Sequence, residues 1–218
     1  LRFRSAVIKD VRVERPLSGF SKSETVSATL DGETLPACQK ITGLLNDLAV
    51  AAVWAMERGW ARRVLIVDCD VHQGDGTARI FEDQPSVFTL SFHAGTNFPA
   101  RKAESDRDVV LARGTGDEGY MAALQLHLAD VIERFEPDCV LYDAGVDIHA
   151  DDRLGHLMVS DEGLRARDRH VIEQCLRRRL PLARVIGGGY DRDVHALVRR
   201  HAIVHEQASE CFDLYLGG

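Results

Sequence analysis

An α/β fold with a parallel sheet sandwiched by helices is what the sequence predicts, and three observations predict it. From Leu44 onward, short β-rich apolar runs alternate with longer segments of helical period, the pattern of stacked βαβ units. The apolar runs are nearly continuous, as strands covered on both faces require. The 218 residues, 45% of them apolar, suffice for one sizeable core.

Taken in order, the segment 1–43 stands apart from 44–218. Leu1 to Val13 reads as a strand pair. The rest reads as loop, because Thr25 to Lys40 is polar, lacks periodicity and carries Asp31-Gly32 and Pro36. A helix follows over Leu45 to Arg58, then a strand over Arg63 to Asp68 (RVLIVD) and a second over Val87 to Phe92 (VFTLSF). Phe92 to Gly119 is long, rich in Gly, Asp and Arg and without a clear period, which inside a compact domain marks a functional loop. Tyr120 to Phe135 reads as helix and Cys139 to Asp143 (CVLYD) as strand. Asp161 to Arg179 is a helix with Ser160 as N-cap, acids in its first turn and arginines in its last. Its arginine runs, Arg165 to Arg169 and Arg177 to Arg179, read as a solvated face. A last strand, Ala183 to Ile186, precedes a helix over Asp191 to Ala208.

Composition narrows the function. Lys+Arg 27 against Asp+Glu 34 gives a net charge of −7, which repels phosphate backbones and argues against direct nucleic-acid binding. No apolar run approaches the roughly 18 residues of a membrane span, and Leu1 to Val13 lacks a hydrophobic signal core. The chain reads as soluble and cytoplasmic. The five cysteines are scattered with no CxxC pair, so neither a disulfide framework nor a thiolate zinc site is expected. Cys69 and Cys139 read as small buried hydrophobes.

In an open α/β sheet, ligands bind outside the carboxyl ends of the strands, so the residues that follow each strand matter most. The first strand ends in Asp68-Cys69-Asp70-Val71-His72-Gln73-Gly74-Asp75-Gly76, the second in Ser91-Phe92-His93, the third in Asp143-Ala144-Gly145-Val146-Asp147-Ile148-His149, and the fourth in Gly187-Gly188-Gly189-Tyr190. All four clusters should gather on one edge. Alternation along an extended stretch places Asp68, Asp70 and His72 on one side. Asp147 would complete an Asp/His/Asp set with a position left for water or substrate, the arrangement of a catalytic zinc site. The competing reading is that these acids cap helices and satisfy turns. The glycines before Tyr190 lack a GxGxxG or GxxxxGK[ST] pattern, so nucleotide binding is weakly signalled. They also allow a phenol to enter a cleft and hydrogen-bond an oxyanion, and an ordinary half-buried tyrosine fits equally well.

DCDVHQGDGTARIF, the SFH strand end, NFPARK, GTGDEGY, YDAGVDIHADDRLG and GGGYDRD together resemble the histone deacetylase family, its bacterial and class IV members above all, from Leu44 to about Ala208. The resemblance implies an arginase/deacetylase-like fold and zinc-dependent hydrolysis of an acyl amide, with acetyl-lysine or an acetylated polyamine as substrate. It implies that Asp70, His72 and Asp147 bind Zn2+ and that Tyr190 stabilises the oxyanion. Asp68 and Ser91, with backbone carbonyls near Asp70, His72 and Phe92, would form a monovalent-cation (K+) site. Phe98, Gly188 and Gly189 would line the acyl tunnel. In the family, Asp68 and Asp75 hold two adjacent histidines, one of them the general base.

Those histidines are missing: no His precedes His72, and the resemblance stops abruptly at Leu44. Two readings of the first 43 residues stand, a truncated or misread product and a genuine variant without the usual base; the abrupt edge favours the first. An N-terminally incomplete fold would expose apolar surface and self-associate. Two functional alternatives accompany the deacetylase. One is a silent module that keeps metal and acyl pocket without turnover. The other is a dimanganese ureohydrolase, disfavoured because the third strand end offers only Asp147 at the matching point, with His149 two residues on.

Overall fold

A computed structural model describes residues 46–216 and three strand segments before them, Asp10–Val13 (β1), Val26–Leu30 (β2) and Glu33–Thr34 (β3). The chain divides into two compact units, 1–54 and 55–218. In the first, β1, β2 and β3 form an antiparallel sheet in that order, with Asp10 opposite Thr29 and Leu30 opposite Glu33. The partner of the strand expected near Val13 is therefore Val26–Leu30, inside the stretch read as loop, where Val-Ser-Ala-Thr-Leu alternates on the period of a half-buried strand. The other half of the expected pair, Leu1 to Lys9, lies outside the described residues.

Helix α1 spans Asp47–Glu57, with the Asn46 side chain accepting the N–H of Ala49 at 2.8 Å as its cap. The second unit continues with β4 (Val64–Asp68), α2 (Asp75–Phe81), β5 (Val87–Ala94), β6 (Arg107–Leu111), α3 (Asp117–Phe135), β7 (Cys139–Asp143), α4 (Asp161–Arg178), β8 (Leu182–Val185) and α5 (Val194–Leu216). Its five strands are all parallel, in the order β6-β5-β4-β7-β8. The order runs outward from β4 in one direction and from β7 in the other, so the topological switch lies between β4 and β7, where Asp68 is in register with Asp143. Every residue of β4 is buried, as a central parallel strand demands.

The sequence missed β6 inside the stretch read as a functional loop. It is an edge strand, so only Val109 and Leu111 are buried while Val110 is 64% exposed. That leaves a short alternating signal behind two charged residues, of which Arg107 pairs with Asp130 of α3 at 2.6 Å. Helix α2 was also missed, its seven residues opening on the glycine-rich turn after β4. Helix α5 starts later than expected because Asp193 caps it, accepting the N–H groups of His195 and Ala196 at 2.9 and 3.1 Å. It runs on past Ala208 to Leu216, the last described residue. Ser160 caps α4 as expected, accepting the N–H of Gly163.

The core gathers Leu65 and Val67 of β4, Leu90 and Phe92 of β5, Val140 and Tyr142 of β7, and the inward stripe Tyr120, Leu124, Leu128, Val131 of α3. Helix α4 packs between α3 and α5. Cys69 is fully buried there, whereas Cys139, at the start of β7, is only half-buried.

Candidate active site

The β4 end is folded by its own carboxylates. Asp68 Oδ1 accepts the N–H of Asp70 at 3.0 Å, and Asp70 Oδ1 accepts the N–H of His72 at 2.8 Å, two successive Asx turns. Asp147 comes from the β7 side of the switch and is fully buried, its Oδ1 accepting the N–H of Val71 at 2.8 Å. These turns bring His72 Nδ1 to 2.9 Å from Asp70 Oδ1 and 3.1 Å from Asp147 Oδ2. One ligand atom from each of the three residues lies within 4.8 Å of the others. The glycine loop after β8 closes the site, the N–H of Gly188 donating to Asp70 Oδ2 at 2.8 Å. A Cβ on Gly188 would collide with Oδ2 of both Asp70 and Asp147, so only glycine leaves the space between the carboxylates open.

Four carboxylates share this edge, and their electrostatics ask for a cation. Burial and the neighbouring acids push Asp143 and Asp147 up to about 7 and Asp68 well above the usual carboxylate range. Burial also opposes charge on Asp70, but hydrogen bonds from the His72 ring and backbone outweigh it and hold Asp70 low. Hydrogen bonds to Asp147 and Asp70 raise His72 to about 10. A proton between an imidazole and two carboxylates occupies the place a divalent ion would take. The donor set is nitrogen and oxygen without sulfur, which suits zinc or a neighbouring transition metal. Burial pushes the Cys69 and Cys175 thiols up to about 12 and Cys139 up to about 11, so none is a ready thiolate. The residues present fit a metal.

Tyr190 is 42% exposed beside His72, its ring edge-on to the imidazole with centroids 6.0 Å apart. Burial and the carboxylates of Asp70 and Asp147 raise its pKa, which keeps the phenol protonated. Ser91 is buried in register with Asp68, its Oγ 3.0 Å from His93 Nδ1. The Phe92 side chain belongs to the core against Tyr120, leaving only its backbone for any ion. Phe98 is 68% exposed. A Cβ on Gly189 would collide with Leu197 and Val146. Asp75 pairs with Arg79 at 3.3 Å along α2.

Two arginines that the sequence did not single out hold the loops of the site. Arg167, expected on a solvated face, is fully buried. Its Nη1 donates to the carbonyl of Gly145 at 2.5 Å and its Nε to Asp168 Oδ1 at 2.9 Å, while Tyr142 donates its hydroxyl to the same Asp168 oxygen at 2.5 Å. It thus fixes the turn between Asp143 and Asp147. Leu164, Arg167, Asp168, Val171 and Cys175 form one buried helical stripe, so the spacing of Arg167 from Leu164 and Val171 was the available signal. Arg200, on α5, is buried in the same way among acids from three segments.

Comparison with known proteins is decided by one match: the histone deacetylase domain model covers residues 41–205. The chain belongs to the histone deacetylase family. An uncharacterised protein of Picosynechococcus sp. is 50% identical over 169 residues, 78% of this chain and 56% of that protein. A probable deacetylase of Archaeoglobus fulgidus is 32% identical over 67% of this chain and 44% of its own length. Among solved structures, the HDA15 HD domain superposes with a TM-score of 0.62 at 28% identity, over 78% of this chain and 52% of that one. An acetylpolyamine aminohydrolase from Burkholderia pseudomallei shares the fold at a TM-score of 0.62 and 24% identity, over 76% of this chain and 49% of its own. The chain thus spans about half the length of these relatives.

Proposed function

We propose that this chain carries the zinc half of a deacetylase active site and acts on the acyl amide of acetyl-lysine or an acetylated polyamine. The observation that carries this reading is the convergence of Asp70, His72 and Asp147 at the switch point under a glycine that leaves the space between them open. Asp70, His72 and Asp147 would hold the ion. When bound, it supplies Lewis-acid polarisation of an acyl carbonyl and a lowered pKa for water. Tyr190, protonated at neutral pH, donates its hydroxyl to the oxyanion that develops at that carbonyl. Phe98 offers an exposed apolar wall for the acyl-bearing chain. Asp68 and Ser91, buried side by side at the strand ends, would help to hold K+ with backbone carbonyls near Asp70, His72 and Phe92, and Asp68 also fixes the turn that presents Asp70.

Asp75 and Asp68 have no histidine pair to orient among the described residues. His93 is buried against Ser91 and Asp108, and His149 takes the N–H of Asp151 and faces Asp161 at 3.2 Å. Both rings are engaged away from the metal ligands. This observation favours, as second reading, a metal- and acyl-binding module with little turnover. A positioned general base contributes roughly 10²- to 10⁴-fold. Zinc-loaded chain is to be assayed on an acetyl-lysine peptide and an N-acetylpolyamine, beside a version whose first 43 residues are replaced by a family segment bearing the His-His pair. A gain in that range, abolished by Tyr190→Phe, is expected. Robust zinc-dependent turnover of the unmodified chain would show another base at work, and stoichiometric substrate binding with no single-turnover product would establish the module.

A further inference from the structure

We infer that Arg200 is a positioning residue for Tyr190, locking the glycine loop to the loop that carries Asp147. The inference rests on Tyr190 being the oxyanion donor proposed above. Gly187 to Tyr190 lie outside any helix or strand, and three successive glycines impose little backbone preference. The direction of the phenol must therefore come from tethers outside the loop. The N–H of Tyr190 donates to Asp152 Oδ2 at 2.6 Å. The next residue, Asp191, binds Arg200 Nη1, and the same guanidinium reaches Asp151 at 2.8 Å and Asp161, the first residue of α4, at 3.3 Å.

Residues 190 and 191 are thus bound to the neighbours 151 and 152, one link made through the backbone and the other through Arg200. Asp151 and Asp161 are more than half exposed, whereas Asp191 is 13% exposed against an arginine that is itself buried. Exposed pairs contribute little, so the Arg200–Asp191 contact decides the geometry. Only a guanidinium presents donors in a fixed planar fork to acids on three sides; an ammonium is a point charge on a flexible stem. Lysine at 200 keeps the charge and loses the lock.

The four tyrosines allow a direct test by 19F NMR of the chain labelled with 3-fluorotyrosine, the Tyr190 resonance being assigned with Tyr190→Phe. In Arg200→Lys and in Asp191→Asn, that resonance is expected to shift and broaden, while those of the core residues Tyr120 and Tyr142 and the zinc stoichiometry stay as in the parent. A Tyr190 resonance superimposable on the parent's in both variants would overturn the inference. If Arg200→Lys also disturbs Tyr120 and Tyr142, Asp191→Asn decides, since it leaves Arg200 its other two acids. In turnover, Arg200→Lys should lower kcat by up to about 10²-fold at unchanged KM, and add nothing in a Tyr190→Phe background. If Tyr190→Phe alone leaves turnover unchanged, the oxyanion role falls while the spectroscopic result still judges the lock.

Discussion

The chemistry of the site resides in single atoms, and two predictions follow at that scale. His72 holds a proton between Asp70 and Asp147 with a pKa of about 10, and must lose it to become a ligand. Zinc binding at pH 8 should release about one proton, read from calorimetric titrations in buffers of different ionisation enthalpy; no buffer dependence would remove His72 from the ligand set. Gly188→Ala deletes no ligand yet fills the space between the two Oδ2 atoms. It should cost more than the 10- to 100-fold in metal affinity typical of residues that support a ligand, checked by competition with a chromogenic chelator; parent-like affinity would contradict the geometry. Asp70, His72 and Asp147 were legible because a period of two and strand-end placement are local features. The closure by Gly188 was not, since it depends on how a loop more than 100 residues away returns to Asp70.

Among the elements, α4 carries an Arg-Asp pair in its buried stripe, and the pair reaches the strand-end turn through Gly145 and Tyr142. Removing one partner of a buried ion pair costs about 3–5 kcal/mol because the other is left uncompensated. Arg167→Met should lose stability in that range by urea unfolding, and a loss below about 1 kcal/mol would show that the pair is not what fixes the turn. The sheet was legible where its strands are buried on both faces, as in β4, β5 and β7. It was not legible at β6, where a one-sided edge strand starts with Arg107 and Asp108. The arginine-rich composition of α4 hid Arg167 from a reading by charge, although its helical spacing from Leu164 and Val171 pointed inward.

In the whole molecule, the acids at the switch point make the fold sensitive to pH in a direction that metal reverses. The folded-state pKa values of Asp143 and Asp147, about 7, lie above those of unfolded carboxylates. The metal-free chain should therefore lose stability as pH rises from about 4 through 7. His72 adds a further loss between about 6.5 and 10, since its proton is held more tightly in the folded state. An ion that binds only the folded chain stabilises it by mass action, and does so more as the competing protons leave. Urea midpoints at pH 5, 7 and 9 should fall for the metal-free chain and converge or rise with zinc; parallel profiles would refute the linkage. The deacetylase-like half of the architecture was legible because a doubly wound order brings four strand ends to one edge. That no histidine precedes His72 in this sequence was legible as well. Whether Asp70, His72 and Asp147 hold one zinc ion is read from X-ray absorption at the zinc edge of the chain loaded with one equivalent. A nitrogen and oxygen shell with scattering from one imidazole and no sulfur is expected. A sulfur ligand, or two or more imidazoles, would contradict it.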